Sequence, residues 1–555
     1  MNTQFVSNSQ AEDRTNAVAG RRQLRRRGRV VVATVAAALM VASCSVFTSG
    51  DDNAQDGQSA SQDAPTAPSF AVDSPTALSD ADPSGVAAAQ HFFPADAGDN
   101  DPSSEQLMVA GAEQADQYAA AQTAVNAGAP MMIIPDGADG EEAKAKIKEL
   151  APKEVIAWGL DLSADPALAD TDIDFQVGGA QEGDSAEDAE ATEGDAANVN
   201  AAPTSMAELA ALEGPNDGQD GMPQVLVGPG TNVAQVATAR AAGAPVQVLA
   251  AADPRATSES MAAIAEGNAV ALGAGFGTQE EFDAQVKLAA NGELPGGGGL
   301  VFPGRRMVAL YGHPSGAALG VMGEQNPEEA VKLAQDYANQ YQELTDYPVV
   351  PAFEIIATVA SDAPGGDGDY SNESDPDELR PYVDAITEAG GYAFLDLQPG
   401  RARLLDQAKM YEDLLKHPNV GLALDPEWKI GPDEVPMTNV GHVEAEEVNE
   451  VTEWLAQLVR DNELPQKGVI LHQFQLQMLR DRDQIRTDHP ELSFILHADG
   501  HGDAGQKLDT WNAMREGLSP DFFMAWKNFI DEDTPMFDPT QTYGVNPRPW
   551  FVSYQ

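Results

Sequence analysis

Apolar residues return in eight short runs along the C-terminal half of the chain, at 307–311, 349–355, 392–397, 421–424, 468–474, 493–497, 522–526 and 550–554. Between them, at 327–344, 377–389, 401–416 and 445–460, apolar positions fall three and four apart, the spacing of a helix that buries one face. A short unbroken apolar run reads as a strand covered on both sides, so runs alternating with helices predict a parallel sheet flanked by helices. Eight such units over 300–555 approach the ~250 residues of a closed TIM-like (β/α)8 barrel. An open doubly wound sheet is the alternative topology.

The preceding region carries the same alternation twice. Residues 124–134 read as the end of a helix, a Gly128-Ala129-Pro130 turn and the buried run Met131-Met132-Ile133-Ile134; a helix over 142–150 and a strand over 155–159 follow. Residues 239–249 repeat this around Gly243-Ala244-Pro245, with a helix over 259–266 and a strand over 269–273. Proline stops each helix and the apolar run of β-formers after it starts the strand. The expectation is a parallel α/β domain of two repeats over 85–295. The pattern resembles the type-two cell-wall-binding repeats of Gram-positive surface proteins, over 107–160 and 221–292. That resemblance implies attachment to envelope polymers, although two units stand here instead of the usual three. A purely structural α/β domain is the alternative.

A basic cluster, Arg21-Arg22-Gln23-Leu24-Arg25-Arg26-Arg27-Gly28-Arg29, precedes an apolar run over 30–42 and then Val41-Ala42-Ser43-Cys44. A positive flank and a short apolar run ending in small residues form an export signal, shorter than a comfortable membrane span. The arginines are too dense to separate a Sec from a Tat route. Cys44 is the only cysteine, so it has no disulfide partner within the chain. Val-Ala-Ser-Cys resembles the lipobox of bacterial lipoproteins. This implies that 1–43 is removed as a signal peptide, that Cys44 is acylated with chains such as palmitate, and that the lipid holds the protein on the extracytoplasmic face of the cell membrane.

Charge narrows the partners. The chain has 88 acidic and 32 basic residues and a formal net charge of -56, which excludes a nucleic-acid ligand and adhesion to anionic lipid by a charged face. It also opposes anionic wall polymers by long-range repulsion. No lysine or arginine occurs between Arg29 and Lys144. Poor in large apolar residues, 44–84 and 162–221 read as a disordered acidic tether and a disordered acidic insertion. Gly296-Gly297-Gly298-Gly299 reads as an interdomain hinge.

In a barrel the chemistry sits at the C-terminal strand ends, and nearly every predicted end here is polar. The fourth carries Asp425-Pro426-Glu427-Trp428. Positions i and i+2 of a strand share a face, so both carboxylates should enter one cleft and raise each other's pKa, keeping one protonated as an acid. This Asp-x-Glu resembles the motif of barrel-type chitinases and muramidases. The resemblance implies that Glu427 is the proton donor in glycoside hydrolysis and that Asp425 orients or stabilises it. A capping aspartate beside a solvated glutamate is the bland alternative. Glu354, Asp396, Trp428, His472, Gln473, Asp499, His501 and Trp526 are expected to line the cleft, with Trp428 as a flat platform for a sugar ring.

His497, Asp499 and His501, with His313 and His472, offer donors for a divalent metal, although substrate hydrogen bonding explains them equally well. Asp367 to Glu378 spaces oxygen donors like a calcium loop, but Asn372 replaces the glycine, and a solvated acidic loop is the expected state. There is no phosphate-cradling loop and no nucleophile elbow. No cofactor or protein metal ligand is therefore expected. The expectation is an exported, lipid-anchored protein whose barrel acts on an envelope glycan; a non-catalytic glycan-binding lipoprotein on an enzyme-like fold is the alternative.

Overall fold

The computed structural model describes residues 70–78, 83–94, 105–168, 170–178 and 202–555. The expected signal segment, Cys44 and the tether as far as residue 69 lie outside the described residues, as does the middle of the acidic insertion.

All eight apolar runs are parallel strands. In chain order they are Arg306–Gly312, Val349–Ala360, Tyr392–Leu397, Val420–Leu424, Lys467–Gln473, Leu492–Ala498, Phe523–Asn528 and Phe551–Tyr554. Each pairs with the next, and the eighth pairs back onto the first, with Phe551 opposite Met307 and Tyr554 opposite Leu310. The sheet closes into a TIM-like barrel. Helices Pro327–Gln342 and Pro376–Glu388 begin where Asn326 and Asp375 accept hydrogen bonds from first-turn amides, each with proline at the start. The expected helix at 401–416 is broken in two at Tyr411, whose hydroxyl donates inward to Ala357 O and Ser374 O.

Side chains alternate along each strand. Met307, Ala309, Ala352, Phe394, Ala423, Ile470, Ile495, Ala525 and Phe551 fill the barrel interior. Their neighbours Val308, Phe353, Leu395, Leu422, Leu471, Leu496, Met524 and Val552 belong to the cluster that packs the helices. Leu294, Val301 and Phe302 join the interior set and close the end at which the strands begin. The expected glycine hinge belongs to this plug. Leu294 N donates to Gly298 O, Gly299 N to Arg255 O, and the Arg305 guanidinium to the carbonyls of Gly297 and Gly298. Gly296 to Gly298 have φ of 91°, 91° and 75°, so the glycines serve a tight left-handed turn and not a swivel.

Upstream lie two four-stranded parallel sheets. One runs Met131–Ile133, Gln106–Ala110, Glu154–Trp158, Asp174–Val177; the other runs Val246–Val248, Gln224–Val227, Ala269–Leu272, Thr76–Leu78. Helices Gln114–Ala127 and Val233–Ala241 pack on each other within one apolar cluster that includes both sheets. Their buried alanines, among them Ala120, Ala121, Ala124, Ala234 and Ala237, allow the close approach.

Two boundaries differ from the sequence expectation. Thr76–Leu78 falls in the expected tether yet pairs with Ala269–Leu272. Asp174–Val177 and helix Met206–Ala210 fall in the expected acidic insertion yet belong to the fold. An edge strand needs one partner and one apolar side chain, and a short helix needs one anchor. Phe175 packs on the Val155 cluster and Leu209 is fully buried, too little apolar content to lift the local composition.

This region docks where the barrel strands begin: Arg255 Nη1 donates to Pro490 O at 2.8 Å and Asn291 Nδ2 to Leu464 O at 3.0 Å, just before the sixth and fifth strands. Gly243, which ends helix Val233–Ala241, has φ 92° and would press an added Cβ onto Asn216 O. Gly243→Ala is therefore expected to cost ~1–3 kcal/mol in a urea titration. A parent-like midpoint refutes the strain argument.

Candidate active site

The fourth strand ends at Leu424, and Pro426–Trp428 form a single 3-10 turn. Asp425 and Glu427 are thus not strand neighbours on one pleat as expected, because the fixed φ of Pro426 starts the turn immediately. Both nevertheless line one cavity of about 560 Å³ at the C-terminal strand ends, together with Trp428, Asp499, His501 and Lys527. Its apolar walls include Leu319, Met437, Phe474 and Phe529. Trp428 Nε1–H donates to Asp425 Oδ2 at 3.0 Å, which fixes the indole at the cavity wall.

Beneath this cavity the interior row turns from apolar to charged. His472 is fully buried between carboxylates: Nδ1 lies 2.9 Å from Asp499 Oδ2 and Nε2 lies 2.7 Å from Glu354 Oε1, with Asp396 Oδ1 at 3.9 Å. Tyr311 OH donates to Asp396 Oδ2 at 2.8 Å. Lys527 Nζ sits 3.2 Å from Asp499 Oδ1 and 3.8 Å from the Tyr311 ring centroid. His497 Nε2 meets Ser553 Oγ at 3.1 Å. Several buried polar atoms have no protein partner, among them Glu354 Oε2, Asp396 Oδ1 and Asp425 Oδ1.

Electrostatics separate these carboxyls. Burial, reinforced by the charge of Asp499, pushes Glu427 up to about 7 against the pull of Lys527. Burial and then Glu427 push Asp425 well above the carboxylate range, and burial raises Asp396 to about 6 although His472 opposes it. Burial also acts on Asp499, but Lys527 and the His472 bond overcome it and hold Asp499 well below the usual range. His472 and His497 do the same for Glu354. Burial disfavours the His472 cation, yet Glu354 and the Asp499 bond raise it well above an ordinary histidine. The arrangement presents a neutral carboxylic acid and an ionised carboxylate to the same cavity. That combination can donate a proton and stabilise a developing cation.

Of the residues expected to line the cleft, Trp428, Asp499 and His501 do so. Glu354, Asp396 and His472 form the buried layer below. Gln473 and Trp526 do not belong to either. Gln473 holds the following loop, donating to Gln475 O and Leu476 O and accepting from Arg482 Nη1. Trp526 faces the helices, stacked on Phe537 at 5.4 Å, with Nε1 donating to Asn528 Oδ1. Both lie one residue out of phase with the interior. Lys527 and Tyr311 were the omissions; they share the inward phase of Ala525 and Ala309, two residues before them on the same strands.

The five donors considered for a metal are not assembled. His313 is bonded to Ser315 and Ser374, and His501 rests against Phe529. Glu354, His472 and His497 do bring donor atoms within 4.8 Å of one another. Both ring nitrogens of His472 are engaged by carboxylates, however, and a charged imidazolium offers a cation no lone pair. In the acidic loop, Asp375 Oδ1 accepts from the Asp377 amide at the start of helix Pro376–Glu388, and Asp367, Asp369 and Glu373 bring carboxylate oxygens within 4.8 Å of one another. No protein-family model and no curated protein sequence matches the chain.

Proposed function

We propose that the barrel hydrolyses a glycosidic bond in a neutral envelope polysaccharide, with Glu427 as the proton donor. The observation that carries this reading is a glutamic acid raised to about 7 on the wall of an open cavity with aromatic side chains beside it. An acid of that strength is protonated when needed and still releases its proton readily near neutrality. Trp428, Phe474 and Phe529 supply apolar faces of the kind sugar rings lie on. Asp425, neutral and bonded to the Trp428 indole, acts by holding that platform in place. The net charge of -56 favours a neutral polymer over an anionic one.

In the same proposal, Cys44 carries a lipid anchor on the outer face of the membrane. The two upstream sheets are two copies of one unit that binds the envelope. The equivalent order of strands in the two sheets supports the repeat, including a fourth strand supplied once from 174–177 and once from 76–78. Among the described residues no helix is long and apolar enough to cross a membrane. Cys44→Ala is expected to leave the protein unprocessed or released. Processing and membrane fractionation like the parent's remove the anchor from the proposal.

The catalytic reading is tested by incubating the protein with purified wall glycans, arabinogalactan among them, and following new reducing ends. Hydrolysis is expected, with kcat/KM falling as pH rises through about 7, because Glu427 then loses its proton. Tight glycan binding without hydrolysis identifies a binding protein on an enzyme-like fold.

A further inference from the structure

A polymer that is cut in its middle has to cross the site, so it needs a groove open at two opposite sides. Here a ring surrounds the mouth. The second strand outruns its neighbours: it pairs with the first as far as Ile355 and with the third as far as Thr358, then runs on to Ala360 against Ser371–Glu373. Val359 and Ala360 of this overhang line the cavity. Across the barrel the connections after the sixth and seventh strands are clasped together. Lys507 Nζ lies 2.7 Å from Asp533 Oδ2, and Asp533 accepts from Gly502 N and Phe529 N, both at 3.0 Å. The clasp is buried and holds His501 and Phe529 at the cavity wall. Leu319 after the first strand lies across from Phe474 after the fifth, and Met437 stands beyond the fourth. Gln398 and Gln555, after the third and eighth strands, complete the ring. The floor is made by Tyr311, Asp425, Asp499 and Lys527, each less than a tenth exposed. Glu427, in the turn beyond the fourth strand, is less enclosed than they are.

We propose that this cavity takes the non-reducing end of a neutral glycan chain, end-on, and releases one sugar at a time. The proposal rests on the glycosidase reading above and adds which part of the polymer is the substrate. A volume of about 560 Å³ suits a ligand of a few rings and not a chain passing through. With the terminal sugar on the floor, its glycosidic oxygen comes to Glu427 and the rest of the chain leaves by the mouth. The floor offers donors and acceptors to hydroxyls that only a terminal sugar leaves free; an internal residue carries a further sugar there and has no room for it. Of the two chain ends the non-reducing one fits, because the ring on the floor is then the one that becomes cationic, over the ionised Asp499. In each turnover the bond from the anomeric carbon to the bridging oxygen breaks. Its electron pair leaves with that oxygen, which takes the Glu427 proton. Water supplies the hydroxyl at the anomeric carbon and the proton that restores Glu427.

The test uses the full chain in detergent, with purified wall glycans and an oligosaccharide ladder cut from them by partial acid hydrolysis and tagged at the reducing end. Chromatography is expected to show free monosaccharide from the first time points, tagged chains that shorten one residue at a time, and a slow fall in polymer size. Chains whose non-reducing terminal sugar is methylated should be hydrolysed more slowly by on the order of 100-fold or more, because the buried polar groups of the floor then lose their partners. Neither readout depends on a variant folding. Oligosaccharides among the first products, early loss of the tagged sugar, or equal rates on blocked and free chains overturns the end-on assignment while leaving the glycosidase reading intact. No turnover of any probe by the parent overturns that reading and the assignment with it.

Discussion

Glu427→Gln should slow glycan hydrolysis by about 100-fold or more while leaving glycan binding close to that of the parent. The amide keeps the size of the side chain and much of its hydrogen bonding but has no proton to give. Glu427 faces Asp499, Lys527, His472 and Asp396 electrostatically, and burial together with Asp499 sets its level near 7. The parent's rate should therefore fall on the alkaline side with a midpoint near 7. Residual turnover by the variant should lack that limb, and substrates with good leaving groups should suffer least. Measurement of kcat and KM across pH on polysaccharide and aryl glycosides separates the effects. An unchanged rate removes Glu427 from the chemistry; a lost binding signal with unchanged kcat makes it a binding group.

Lys527→Met should be the costliest single change in the charged layer. Methionine fills the space but removes the cation 3.2 Å from Asp499 Oδ1. Breaking one side of a buried ion pair costs ~3–5 kcal/mol because the remaining charge stays enclosed. The pH dependence has a definite sign. In the parent, Asp499 is depressed below its unfolded value, so its contribution is present above that value and is lost as pH falls through the depressed one. In the variant the His472 bond remains but the cation is gone, so Asp499 is depressed less; the stability lost is full above the unfolded carboxylate value and fades as pH falls below it. Urea titrations at pH 7 and pH 3, followed by the tryptophan fluorescence that originates mainly in the barrel, should show the gap to the parent narrowing. An equal gap at both pH values refutes the account.

The barrel was legible because each strand is buried on both sides and is bounded by turns, so its apolar run stands out against amphipathic helices. What was not legible was phase. His472 and Gln473 are adjacent, as are Trp526 and Lys527, and a two-residue period sends one of each pair inward. Choosing the aromatic and the amide as ligands favoured residue type over phase. The partner of Glu427 was hidden for another reason. Asp425 is its neighbour in sequence, but the ionised carboxylate that acts on it is Asp499, brought over from the sixth strand by closure of the sheet. The short elements at Thr76–Leu78 and Asp174–Val177 escaped because pairing with an existing sheet supplies what their composition lacks.

The strands carry most of the cavity's charges at or just beyond their ends, with Phe474 and Phe529 directly after two of them, whereas Leu319 and Met437 come from the connections between strands. Such a division lets selection act on the two parts at different speeds. A loop that lengthens or exchanges an apolar side chain reshapes the walls without moving His472, Asp499 or Lys527, each of which is fixed by several partners. Under the proposed hydrolytic reading, descendants of this barrel are expected to diverge in the polymer they accept long before they diverge in how a bond is broken. A graft of the 429–442 connection from such a descendant should transfer preference while preserving the pH profile.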